Sequence, residues 1–323
     1  MTARIVLLVT SPRLPAGLLT AAAWDLVRAH PVFAAADGEQ AAALRAAGVA
    51  VTPVDPDPEA LVRALAAHDS IVWLGGPAGD EDFARRLGMR LAREPALAEL
   101  ELMYGSWDPP GARLLDAVAV MDRLVSPGGD PWKQQQTHAS LAPYLLEESY
   151  EAYDAIAAGD LDALREELGD ILLQIVLHAR LAEDLPEDRR WTVDDVAGGL
   201  VDKMVRRNPH VFAGAEVDGV DAITDNWERI KQAEKSRGSA LEGIALSQPA
   251  LALAAEILHR AARAGVDVPL PSGADLGSAL LRTVAQARAD GLDAEAALRA
   301  TALAYGAAVR AAESSADGSS PAE

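Results

Sequence analysis

Glu147, Glu148 and Glu151 crowd into the stretch LEESYE (146–151), and Glu167 and Asp170 follow sixteen and nineteen residues after Glu151. In a helix, residues three or four apart lie on one face, so Glu147 with Glu151, Glu148 with Glu151, and Glu167 with Asp170 each converge. Like charges at that spacing repel by roughly a few tenths of a kcal/mol per pair, and an unpaired carboxylate near apolar surface costs more. A hard divalent cation relieves this, because Mg²⁺ takes carboxylate oxygens and shares itself with substrate phosphates. Two solvated helix faces are the plainer alternative. Against them, Glu167 shares a stripe with Ile171, and Asp170 adjoins Leu168 and Ile171.

The elements that must position these acids are two helices. One is predicted from Leu141 to Ala158; AGD (158–160) is a tight connection, and a second helix follows from Leu161 to Ala182 with a core stripe of Leu164, Leu168, Ile171, Leu172, Ile175 and Val176. So short a connection makes the helices antiparallel neighbours. Upstream, RLLDAVAVMDRL (113–124) carries a helical stripe of Leu114, Val118, Met121 and Val125, ended by SPGGDP (126–131). Downstream, Lys203 and Arg207 share a face of a helix that ends before Pro209, and Trp227 and Lys231 repeat the spacing on the next helix. His138 and His210 have no second histidine at ligand spacing and read as structural.

Before residue 110 the pattern is different. RIVLLVT (4–10), PVFAAA (31–36), VAVTPVD (49–55), SIVWLGG (70–76) and LELMYG (100–105) read as strands separated by amphipathic helices. That alternation predicts a Rossmann-like parallel sheet with crossover helices. GGPAGD (75–80) lacks the Gly-Lys-Ser/Thr ending of a phosphate loop and the dinucleotide fingerprint, and reads as a turn. GSWDPPG (105–111) is a linker.

The 323 residues carry a net charge of −20 and no cysteine. The charge argues against a nucleic acid polymer as partner, since phosphate-backbone binding runs on Lys and Arg. The missing cysteine excludes disulfides, thiolate metal sites and a cysteine nucleophile. The apolar run Ile5–Val9 is too short for a membrane span, and the cytoplasm is the expected compartment.

The pattern Glu-Glu-x-x-Glu followed by Glu-x-x-Asp resembles the metal signature of the all-α nucleoside triphosphate pyrophosphohydrolases, MazG in particular. PWKQQQTHASLAPYLLEESYE (131–151), EELGDILLQIVLHARL (166–181), VDKMVRRNPHVF (201–212), NWERIKQAEK (226–235) and ALEGIALSQPALALAAEILHRAARAGVD (240–267) occur in the family's order. Lys133 departs from it, standing where the family usually has Asp. The resemblance implies hydrolysis of nucleoside triphosphates to monophosphate and pyrophosphate. It implies Mg²⁺, or Mn²⁺, on Glu147, Glu148, Glu151, Glu167 and Asp170, water activation by Glu148, and nucleotide contacts from Lys203, Arg207, Trp227 and Lys231. It also implies a homodimer and a role in clearing the nucleotide pool.

The expected organisation is mixed: an α/β parallel-sheet domain over 1–110, an all-α MazG helical bundle over 111–245, a degenerate second helical segment over 246–312, and a disordered tail over 313–323. The degenerate segment is visible as a repeat. ELGDILLQIVLHARL (167–181) aligns on DLGSALLRTVAQARA (275–289), with Asp170 answered by Ser278, so no metal site is expected there. The first domain resembles the opening of tetrapyrrole methylases, truncated and with SPRLP in place of the glycine-rich loop, which implies a non-catalytic scaffold. Two other classes remain: a non-catalytic nucleotide-binding regulator, and a di-iron bundle, which would want a Glu-x-x-His motif, whereas His178 lies eight residues after Asp170.

Overall fold

The computed structural model describes residues 3–76, 79–215, 219–233 and 239–317. The chain divides into two compact units, Met1–Leu200 and Val201–Glu323.

The first unit begins with the expected alternation: β1 (Arg4–Val9), α1 (Ala21–Ala29), β2 (Val32–Ala34), α2 (Glu39–Ala46), β3 (Val51–Pro53), α3 (Pro58–Leu65), β4 (Ser70–Leu74), α4 (Glu81–Arg93) and β5 (Glu99–Tyr104). The five strands form one parallel sheet in the order β3-β2-β4-β1-β5. Alternation along the strands divides the core between the faces. Val6, Leu8, Val32, Val72 and Leu74 pack on α1 and α2 through Val27 and Leu44. Ile5, Leu7, Phe33, Ile71 and Trp73 pack on α3 and α4 through Leu61, Phe83 and Leu87. In the stretch after β4, of which residues 77 and 78 lie outside the described residues, Gly79 N–H donates to Gly76 O at 3.0 Å, and the Asp80 carboxylate accepts from Trp73 Nε1 at 2.7 Å and Gly76 N at 3.2 Å.

The helical part of this unit holds α5 (Arg113–Val125), one 3₁₀ turn (Lys133–Gln135), α6 (His138–Ala158) and α7 (Leu161–Glu183). An ion network joins it to the sheet. Arg13, in the loop after β1, grips Asp116 of α5 with Nε and Nη2 at 2.8 and 2.6 Å and also contacts Asp108 of the linker. Charge and hydrogen bonds from Arg13, then Arg113, hold the Asp116 carboxyl below its usual range. Met121, Val125, Leu141, Val176 and Leu177 form the core where α5, α6 and α7 meet.

One expectation is corrected here. Leu168 is 53% exposed and Ile175 39%, although both read as core positions. The face that α7 buries is instead that of Val176, Leu177, Ala179 and Ala182, because α5 and α6 cover only one side of the helix. The stripe through Leu168 and Ile175, seven residues apart, is a second apolar face with no cover among the described residues.

α8 (Val193–Arg207) runs across the division between units. The second unit continues with α9 (Pro209–Phe212), α10 (Gly219–Ala233), α11 (Ala250–Arg263), α12 (Leu276–Ala289) and α13 (Ala294–Asp317), and α11 packs on both α12 and α13. α13 reaches Asp317, five residues into the segment expected to be disordered. An established Ala-rich helix propagates readily through Glu, Ser and Ala at its end. Residues 318–323 of that segment lie outside the described residues.

Candidate active site

α6 and α7 are set by their ends. Thr137 and Ser140 form a reciprocal capping box that starts α6, and Gly159, at φ 70°, ends it in the left-handed region that glycine enters without a Cβ penalty. Asp160 then caps α7, its carboxylate accepting from Asp162 N and Ala163 N at 3.1 and 3.0 Å. Reversal within two residues makes the hairpin a mirror about Gly159. Glu151 lies eight residues before it and Glu167 eight after; Glu148 lies eleven before and Asp170 eleven after. At 1.5 Å of rise per residue these are two acidic rungs about 4.5 Å apart.

The geometry follows that count. Carboxylate oxygens of Glu148, Glu151 and Glu167 all lie within 4.8 Å of one another. Desolvation pushes the Glu148 carboxyl up, and the charges of Asp170, Glu151, Glu167 and Glu147 add to it. Glu167 is raised by desolvation, then by Glu151, Asp170 and Glu166. Three of the five acids therefore meet, while the charge of Asp170 acts on Glu148 and Glu167, and that of Glu147 on Glu148. Three convergent carboxylates, with no thiolate in the chain, make an all-oxygen donor set that fits a hard divalent cation, whose charge offsets the mutual repulsion.

The other expected contacts, Lys203, Arg207, Trp227 and Lys231, belong to the second unit. All four are half-buried. The Arg207 guanidinium carbon sits 5.4 Å from the centre of the Trp227 ring, a cation–π contact that joins α8 to α10 and fixes where the charge points.

Sequence reasoning missed a polar stripe along α7. Gln174 and His178 follow Asp170 at intervals of four. Gln174 is 4% exposed, and its Oε1, like His178 Nε2, is buried with no hydrogen-bond partner among the described residues. His138, read as structural and without a second histidine, has His178 across the hairpin, Nδ1 to Nδ1 at 2.7 Å. The signal was available in the antiparallel count: His138 is 21 residues before Gly159 and His178 is 19 after it.

The model of the MazG nucleotide pyrophosphohydrolase domain matches residues 136–212, from the start of α6 through α9. An uncharacterised 26.1 kDa protein of Streptomyces cacaoi is 48% identical over 241 residues, 74% of this chain and 97% of the relative. A nucleoside triphosphate pyrophosphohydrolase of Mycolicibacterium smegmatis is 39% identical over 250 residues, 76% of this chain and 63% of the relative. One of Mycobacterium tuberculosis is 48% identical over 160 residues, 50% of this chain and 48% of the relative. The chain thus spans about half to two thirds of these two named enzymes. With the acidic hairpin, the matched segment and these relatives in agreement, the chain belongs to the MazG family of nucleotide pyrophosphohydrolases.

Proposed function

We propose that this chain is a Mg²⁺-dependent nucleoside triphosphate pyrophosphohydrolase, with Mn²⁺ as a substitute, that cleaves between the α and β phosphates. The observation that carries the reading is the meeting of Glu148, Glu151 and Glu167 within 4.8 Å. Family membership and the named activity of the relatives support it. Glu147, Glu148, Glu151, Glu167 and Asp170 would hold the ion. When bound, Mg²⁺ supplies Lewis-acid polarisation and neutralises charge on the triphosphate.

The remaining work belongs to side chains. Glu148 takes the proton of the attacking water; desolvation makes it a stronger base than an ordinary carboxylate. Lys203, Arg207 and Lys231 meet phosphate oxygens, and Trp227 holds the Arg207 guanidinium in place. The exposed stripe of Leu168 and Ile175 supports a homodimer, since a second copy would cover it. Among the described residues no helix is long and apolar enough to cross a membrane. The cell role we assign is clearance of unwanted nucleotides in the cytoplasm, with the N-terminal sheet as scaffold.

The test is pyrophosphate release from ordinary and oxidised nucleoside triphosphates, with and without Mg²⁺, by the intact chain and by Glu151→Gln. Metal-dependent release that Glu151→Gln abolishes is the expected result. Silence across the whole panel would favour a nucleotide-binding regulator instead, and activity surviving Glu151→Gln would place the site elsewhere.

A further inference from the structure

We propose that the N-terminal sheet, besides carrying the bundle, holds a nucleoside without phosphates in the cleft at the carboxyl ends of β1 and β4. These strands are neighbours, yet the chain leaves them in opposite directions: α1 carries it from β1 past β4 to β2, and α4 carries it from β4 past β1 to β5. Where connections diverge in this way, a parallel sheet opens a crevice outside its strand ends, and small ligands bind there. Here the crevice is a cavity of about 520 Å³, within the size range of small-molecule sites. An adjoining cavity of about 480 Å³ shares Thr10, Ser11, Gly75, Gly76 and Asp80 with it.

Thr10 lines the cavity at 9% exposure, and its hydroxyl has no hydrogen-bond partner among the described residues. A hydroxyl so nearly buried favours a ligand that supplies the partner. Asp80, on the same wall, accepts from Trp73 Nε1 and Gly76 N through Oδ2 alone, which leaves Oδ1 for a donor. Asp37, three residues past the end of β2, accepts from Arg45 through Oδ1 at 2.6 Å and keeps Oδ2; an acid near the end of that strand is where parallel nucleotide-binding sheets hold a ribose hydroxyl. The walls are Leu14, Leu74 and the run Ala34–Ala36, apolar surface against which a flat ring can lie. What a phosphate needs is missing. The loop after β1 reads Ser-Pro-Arg-Leu-Pro, its Arg13 is taken by Asp108 and Asp116, and no basic side chain among the described residues lines the cavity, whereas Asp37, Glu39 and Asp80 do. Three carboxylates repel an anion and accept from hydroxyl and amino groups.

The experiment titrates the intact chain by calorimetry, in EDTA, with adenosine, guanosine, cytidine and uridine, and with the 5′-monophosphate of whichever binds best. At least one of these nucleosides is expected to bind once per chain, and its monophosphate more than about tenfold more weakly at this site, since the added charge meets only carboxylates. Thr10→Val keeps the shape and removes the hydroxyl. It should weaken nucleoside binding by about three- to tenfold without lowering the melting temperature, because that hydroxyl has no partner within the described protein to lose. Glu148→Gln, on the hairpin, should leave nucleoside binding unchanged. Silence from all the nucleosides, a monophosphate whose Thr10-dependent binding is as tight as its nucleoside's, or binding that follows Glu148→Gln and ignores Thr10→Val overturns the proposal. Pyrophosphate release from triphosphates is a separate readout, so either site can fail without the other.

Discussion

His138 and His178 stack in parallel across the α6–α7 hairpin, ring centroids 5.1 Å apart and planes 7° from each other, with Nδ1 of one 2.7 Å from Nδ1 of the other. One nitrogen must donate and the other accept, so the contact exists only while at least one ring is neutral. Trp191 continues the stack, 6.1 Å from His138.

Burial, and then the charge of His138, lowers the His178 pKa from the usual 6.5. At acid pH the unfolded chain therefore binds more protons than the folded one, and stability rises with pH. The contribution is fully present above about 6.5, the ordinary histidine value, and is lost as pH falls through the lower folded pKa. Melting temperature is expected to drop between neutral pH and about pH 5. In His178→Phe, which cannot take up the proton, that part of the drop should vanish; an identical pH profile in the variant would show that the stacked pair is not the sensor.

Glu148→Gln separates the chemistry from the fold. It keeps the side chain's size but removes the charge and the base, and kcat is expected to fall by about 10²–10⁴-fold. The same change should blunt metal binding. Mg²⁺ at about a hundred times its Kd stabilises a native protein by about 2.7 kcal/mol, so the unsubstituted chain should melt higher with Mg²⁺ than with EDTA. Glu148→Gln, Glu151→Gln and Glu167→Gln should each lose most of that difference. A metal-induced shift that survives all three would mean the ion binds away from the hairpin.

Much of this was legible because the signals were local. Periodicity gave five strands in the right places, and the spacing of Glu148, Glu151, Glu167 and Asp170 gave the acidic faces, since three- and four-residue intervals have one meaning on a helix. What failed needed knowledge of the neighbours. Leu168 and Ile175 have the period of a core stripe, but period says that a face is apolar and not whether the same chain covers it. His138 and His178 were separated by forty residues, and only their levels about Gly159 show that they meet.

The register of the acids depends on the two-residue reversal. Gly159 sits at φ 70° with no atom near the place of a Cβ, so Gly159→Ala costs backbone strain alone, about 1 kcal/mol. Asp160→Ala removes the acceptor for two orphan N–H groups and costs about 1 kcal/mol. Neither residue touches the carboxylates. Both variants should melt lower while keeping Mg²⁺ affinity. A variant that lost affinity in proportion would show that the hairpin slips register rather than merely weakening, which binding titration and thermal melts on the same samples can tell apart.

The apolar stripe gives the last prediction. Ile175 is 39% exposed on α7 and Leu168, two turns before it, 53%; neither belongs to the core formed by Met121, Val125, Leu141, Val176 and Leu177. If a second copy covers this face, Ile175→Glu places charges against apolar surface at the interface and leaves the internal core untouched. Light scattering should then report twice the chain's mass for the unsubstituted protein and a single chain's mass for Ile175→Glu, with the thermal transition of the core still cooperative. Leu177→Ala is the control: it hollows the internal core, costs about 2–5 kcal/mol, and should lower melting temperature without producing a folded monomer. An unsubstituted chain that stays monomeric at high concentration would mean that something other than a copy of itself covers Leu168 and Ile175, or that this face stays in water.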